Sequence, residues 1–181
     1  PTWPYELDEA RVERGEELFM AVCSSCHGTY ARDREQRHLD RYPNLLIPID
    51  NVNTDPLLLS FEEGFVEAFT PWLEQTPLRS SNWIEATPGY VAPPLDGIWA
   101  TAPYLHNDSV PSLMTLLKSS ERPTYWVRLT RGSADLDTTA VGWPYSVAEQ
   151  GREAGAGPEL YDTTRLGYYN TGHTYGDGLT D

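Results

Sequence analysis

A mainly α domain with long irregular loops and little β is what this sequence predicts, on three observations. Asp8 stands before one apolar pattern at helical spacing, and Ser60 with Glu63 stands at the head of another. Between and beyond them, 15 Pro and 14 Gly in 181 residues break the chain into loops. The length fits one domain, residues 1–181, and 39% hydrophobic residues with 12% aromatics suffice for a core.

The elements follow in chain order. Asp8 predicts the cap of a helix from Glu9 to Val22, on which Val12, Phe19 and Val22 form an apolar stripe beside Gly15. Gly28 suits a helix exit or tight turn, and the polar segment Thr29 to Asp40 reads as a solvated loop or short helix. Pro43 to Pro56 is an extended strap carrying Leu45, Leu46, Ile47 and Ile49. The Ser60/Glu63 capping box predicts a second helix, roughly Phe61 to Leu73, with Phe61, Phe65, Val66, Phe69 and Leu73 turned inward. Thr76 to Pro94, with four prolines, reads as loop, and Ser109 with Pro111 starts a third helix running to Lys118. Tyr125 to Leu129 reads as a short strand, followed by Gly- and Asp-rich turns. Tyr161 to Asp181, with Tyr168, Tyr169, His173 and Tyr175 among glycines, suits a loop closing over something flat, or a flexible tail.

The formal net charge is -14, and Lys118 is the one lysine. That balance argues against nucleic acid and anionic membranes as partners. It fits a partner with a basic face, or a surface that is merely well solvated. With no apolar run of membrane-spanning length and no leader at Pro1, no membrane span is expected.

Chemistry is concentrated in Cys23-Ser24-Ser25-Cys26-His27, which holds both cysteines of the chain. C-x-x-C-H is the pattern of covalent haem attachment: two thiols form thioethers to one haem c, and the following histidine ligates the iron. Structural zinc needs four N or S ligands, whereas His38, His106 and His173 are scattered singly. A thioredoxin-like pair would sit in a βαβ pattern, and a plain disulfide leaves His27 unexplained. Haem c ligation takes place outside the cytoplasm in bacteria, so a periplasmic or extracellular location is expected. The fold class thereby becomes a cytochrome c-like haem domain.

A longer stretch carries a resemblance. Pro94-Leu95-Asp96-Gly97-Ile98-Trp99-Ala100-Thr101-Ala102-Pro103-Tyr104-Leu105-His106-Asn107-Asp108-Ser109-Val110-Pro111-Ser112-Leu113 is similar to the T-A-P-Y-x-H-[ND]-G-S segment of the di-haem cytochrome c peroxidase superfamily. With Gly-Ile-Trp-Ala before it, the segment resembles the rubber-oxygenase branch most. Asn53-Thr54-Asp55-Pro56, Glu121-Arg122-Pro123 and Asn170-Thr171-Gly172-His173-Thr174-Tyr175-Gly176 agree with the same family. There are three departures. Asp108 stands where relatives have Gly, one haem motif is present instead of two, and Leu179-Thr180-Asp181 falls where relatives begin a helix that packs across the first one. Either another element replaces that helix or further chain follows.

The resemblance implies haem surroundings shaped by Trp99, Tyr104 and His106. It also implies His173 as the second iron ligand, since it matches the histidine used on the C-terminal, electron-transfer haem of the rubber-oxygenase branch. Met114 and His106 stand behind it as alternatives. Met20 lies in the helix leading to the motif, and the position of the peroxidases' distal Met falls near Ser119 or Ser120, which are not ligands. The expectation is a mono-haem c-type cytochrome passing single electrons to a redox partner protein or other cytochrome subunits. The alternative is the electron-relay half of a haem peroxidase or oxygenase, with Trp99, Trp126, Tyr104 and the terminal tyrosines as hopping sites or, more commonly, packing residues.

Overall fold

Asp8 caps α1 (Glu9–Val22), its carboxylate accepting the backbone N–H of Ala10 at 3.0 Å and of Arg11 at 3.2 Å. The bounds are those the sequence predicts. The structure, a computed structural model, describes residues 3–31, 39–81, 83–130, 132, 135–152, 157 and 159–179. After α1 the chain turns at Cys23 into the single-turn helix α2 (Ser24–His27), which ends at Gly28 with φ 88°. A Cβ at Gly28 would lie 2.2 Å from the carbonyl oxygen of Arg41, because β1 (Thr29–Tyr30) pairs antiparallel there with β2 (Leu39–Arg41). The predicted polar segment therefore begins and ends in a ribbon. Its middle, 32–38 with His38, lies outside the described residues.

The strap contains β3 (Leu46–Pro48), paired antiparallel with β4 (Gly89–Val91), and the short helix α3 (Ile49–Val52), closed by Asn53 in the left-handed region at φ 54°. Next comes α4 (Leu57–Glu74), which starts four residues before the predicted Phe61. The Asp55 carboxylate accepts the Leu57 N–H at 2.8 Å and takes the capping role, so Ser60 and Glu63 lie inside the helix and form no capping box there. The inward stripe also differs from prediction. Leu59 and Leu73 are buried, while Phe61 is 67% and Phe65 44% exposed. Phe61, Phe65, Phe69 and Trp72 instead contact one another along the outer face, with ring centroids 4.8–6.4 Å apart.

The third helix, α5 (Leu113–Leu117), is shorter than predicted and opens at Ser112 with a capping box to Thr115. Ser109 and Pro111 are extended and fully buried instead: the Ser109 carbonyl accepts the Trp126 indole N–H at 3.0 Å, and its hydroxyl donates to the Tyr169 carbonyl at 3.1 Å. Short 3-10 turns lie at Pro77–Ser80, Ile98–Ala100 and Ser119–Glu121.

The predicted strand is present as β5 (Tyr125–Arg128), but it is the centre of a three-stranded antiparallel sheet between β6 (Tyr145–Val147) and β7 (Leu160–Asp162). Trp126, 1% exposed, stacks on Tyr161 at 4.0 Å and forms the core with Tyr104 and Val110. Three small antiparallel sheets, with 34% of the described residues helical and 16% in strands or bridges, make the fold mixed α/β and not mainly α. The strands are two to four residues long and their partners are distant in sequence, so no alternating run marked them. Among the described residues no helix is long and apolar enough to cross a membrane.

Candidate haem centre

The motif folds as a helical continuation of α1. The backbone N–H groups of Cys26 and His27 both donate to the Cys23 carbonyl, at 3.1 and 3.0 Å, and Ser24 Oγ donates to the Met20 carbonyl at 2.8 Å. Side chains three apart in such a turn share a face, which sets the two sulfurs side by side. Both are free thiols, and burial, reinforced by Cys26, raises the Cys23 thiol above its ordinary 9.0. His27 Nδ1 lies 2.7 Å from the Pro93 carbonyl. A carbonyl only accepts, so Nδ1 carries the proton and Nε2 is left as the donor for a metal.

His173 faces it. The two ring centroids are 6.1 Å apart with planes at 58°. Two imidazoles on opposite sides of one metal, each bonded at ~2 Å with roughly 1 Å more to the ring centre, are spaced by about 6 Å. His173 sits in the left-handed region (φ 46°) after Gly172 (φ 75°), and its backbone N–H donates to the Val52 carbonyl at 2.8 Å. A Cβ on Gly172 would lie 2.2 Å from that same carbonyl oxygen. The His173 Nδ1 is shielded from solvent with no hydrogen-bond partner among the described residues, and burial, then the nearby His27 and Arg122, lower the imidazole below its ordinary 6.5. A neutral imidazole with a buried, unused nitrogen is suited to donate to a metal.

The donor set fits haem. Among the described residues no three His, Cys, Asp or Glu side chains converge on a metal position. Two nitrogens alone serve an iron whose remaining ligands come from a macrocycle, and the two thiols of the adjacent turn are what a covalently attached macrocycle requires.

The other residues named from sequence have contacts of their own. Tyr104 is a core residue, 3% exposed, its hydroxyl shared between the Ile98 and Val141 carbonyls at 3.2 Å each. Burial pushes it up to about 12. His106 stacks on Tyr90 with centroids 4.4 Å apart and its Nε2 3.3 Å from the Tyr90 hydroxyl; its ring contact is there and not with His27. Trp99, in the turn Ile98–Ala100, meets Trp3 edge-on at 5.4 Å. Met114 on α5 and Met20 on α1 are about half exposed.

Two supports of the site were not singled out from sequence. Pro93 holds His27, as above. Arg122 sends its N–H groups to the carbonyls of Thr115, Leu116, Asn170, Gly172 and His173, at 2.6–3.1 Å. The loop is tied a second time by Asp177, whose carboxylate accepts the Ser119 N–H at 2.7 Å and the Ser119 hydroxyl. The Glu-Arg-Pro stretch carried only a family likeness, because carbonyl acceptors leave no mark in a sequence.

The chain is similar to two uncharacterised proteins of Sinorhizobium fredii (strain NBRC 101917 / NGR234). It is 32% identical to protein y4iM over 94% of this chain and 42% of that protein, and 28% identical to protein y4iJ over 98% of this chain and 37% of that protein. The chain therefore spans less than half the length of either relative. Residues 89–127, which run from β4 into β5 and include Trp99, Tyr104, His106 and Arg122, match the family model described as RoxA-like, cytochrome c-like.

Proposed function

We propose that this chain is a haem c module that passes single electrons outside the cytoplasm, as a subunit or partner of a larger redox system. The observation that carries the reading is the 6.1 Å facing of His27 and His173 beside the two thiols of Cys23 and Cys26. Bound haem supplies a one-electron ferric/ferrous couple. Cys23 and Cys26 would attach the group, and His27, oriented through Pro93, and His173, whose ring faces it, would hold the iron. Two imidazole ligands favour the ferric state relative to a His/Met pair, which places the potential low among c-type centres. The match to a cytochrome c-like family model supports the haem assignment, and the charge of -14 favours a partner with a basic docking face.

Absorption spectra of the ferric and reduced protein, with pyridine haemochrome quantification and added carbon monoxide, test this. One haem c per chain, low-spin in both states and inert to carbon monoxide, is expected. High-spin character or rapid carbon monoxide binding overturns the two-histidine carrier.

The greater length of both relatives favours a second reading, in which this module is the electron-relay part of a larger haem peroxidase or oxygenase. Peroxide consumption with an electron donor, dependent on addition of a separate haem-bearing segment, would support it; enzyme-like turnover by this chain alone would remove both readings.

A further inference from the structure

The two facing histidines are held by different means. His27 is oriented through its own ring, by the hydrogen bond from Nδ1 to Pro93. At His173 the hydrogen bonds lie on the main chain, and the ring Nδ1 is left without a partner among the described residues. What fixes it is the backbone on either side of the ring. The His173 N–H is anchored on Val52, and the carbonyls of Gly172 and His173 both turn toward the guanidinium of Arg122, at 2.7 and 3.1 Å.

The turn that carries those two carbonyls is unusual, since Gly172 and His173 are both left-handed, at φ 75° and 46°. For a non-glycine residue that conformation is costly and persists only where its surroundings impose it. Arg122 does so from a rigid base. Its five N–H groups are all engaged: Nε and one Nη2 donor hold the carbonyls of Thr115 and Leu116 on α5, while Nη1 and the other Nη2 donor hold Asn170, Gly172 and His173. A planar fork with five fixed donors can bridge two segments in this way; an ammonium, with three donors on one atom, cannot.

We propose that Arg122 is the positioning residue for His173, locking the left-handed turn that presents the imidazole opposite His27. This rests on the two-histidine reading, so the test separates the two. The haem-loaded protein and its R122Q, R122K and H173A variants are reduced and mixed with carbon monoxide, and each ferric variant is titrated with free imidazole.

The expected result is a wild type inert to carbon monoxide and an H173A variant that binds it fully. R122Q should bind it at a rate within about tenfold of the H173A rate, with R122K between R122Q and wild type, and free imidazole should restore the low-spin spectrum of R122Q. If H173A stays low-spin and inert, the ligand reading falls, and Arg122 with it. If H173A becomes reactive while R122Q stays inert, only the Arg122 proposal falls. A reactive R122Q that free imidazole does not restore means general disruption of the pocket and also overturns positioning. Should R122Q not fold, R122K is judged by the same two readouts; failure of both variants to retain haem assigns Arg122 to folding alone and overturns the proposal.

Discussion

The buried carboxylate of Asp55 accepts the backbone N–H of Gly167 at 2.7 Å, joining the start of α4 to a loop more than a hundred residues away. The same oxygen accepts the Tyr169 N–H at 3.1 Å, and the other oxygen caps Leu57 at 2.8 Å. One residue thus closes the helix end and fixes the loop that leads into His173. The Tyr90 hydroxyl adds a bond to the Asp55 carbonyl at 2.8 Å.

Replacing Asp55 by Ala strands three N–H donors together. A hydrogen bond to a charged acceptor contributes ~1.5–3 kcal/mol, and a buried donor left without a partner costs about 1–3 kcal/mol. Asp55→Ala should therefore lose at least roughly 3 kcal/mol in urea unfolding of the haem-loaded protein. A loss below about 1 kcal/mol would show that water or a local shift replaces the carboxylate.

Tyr104 lies in the most recognisable segment of the sequence, yet its hydroxyl serves two carbonyls in the core. Tyr104→Phe should cost about 1 kcal/mol of stability, the ordinary net value of a buried hydrogen bond, and leave the ferric and reduced spectra unchanged. An altered spectrum or a shifted potential would show that Tyr104 also shapes the haem surroundings.

Asp108 stands at φ 57°, in the left-handed region, where a residue other than glycine has a physical cost. An L-residue in this region costs ~1–2 kcal/mol, whereas the added freedom of glycine in the unfolded chain costs about 0.4–1 kcal/mol. Burial also raises the Asp108 carboxyl, with His106 opposing, so its charge is not well accommodated. Asp108→Gly should stabilise the protein by a few tenths to about 1 kcal/mol. A melting temperature that falls on this substitution would reveal a contact that the carboxylate makes.

What the sequence made legible is local. The Asp8 cap, the C-x-x-C-H turn and the exit at Gly28 depend on neighbours within four residues, and each is found where those neighbours require. The start of α4 was misplaced because two oxygen-bearing residues competed for the capping role, and Asp55, recruited also by Gly167 and Tyr169, took it. The β5 sheet escaped notice because Trp126 meets Tyr161 and Val147 through strands too short to show alternation. His173 carried no chemical signature of its own; a family likeness named it, and the fold turns its ring toward His27. Arg122, whose hydrogen bonds among the described residues go to backbone carbonyls, had nothing in the sequence to announce it.

Asp162, at the end of β7, sets an acid limit on the sheet. The Thr164 hydroxyl, first, and the N–H groups of Arg152 and Thr164 hold its carboxyl below the ordinary 3.8, with burial opposing and Arg165 adding to the effect. The folded state therefore binds this proton less readily than the unfolded chain does. The stabilisation is complete above the unfolded value and is lost as pH falls through the lower folded one. Stability measured by urea unfolding from pH 6 downward should fall more steeply in the wild type than in Asp162→Asn, because the variant has already lost the charged acceptor. The two curves should converge in acid. Parallel curves over the whole range would mean that Asp162 titrates alike in both states and that its hydrogen bonds do not govern the acid limb.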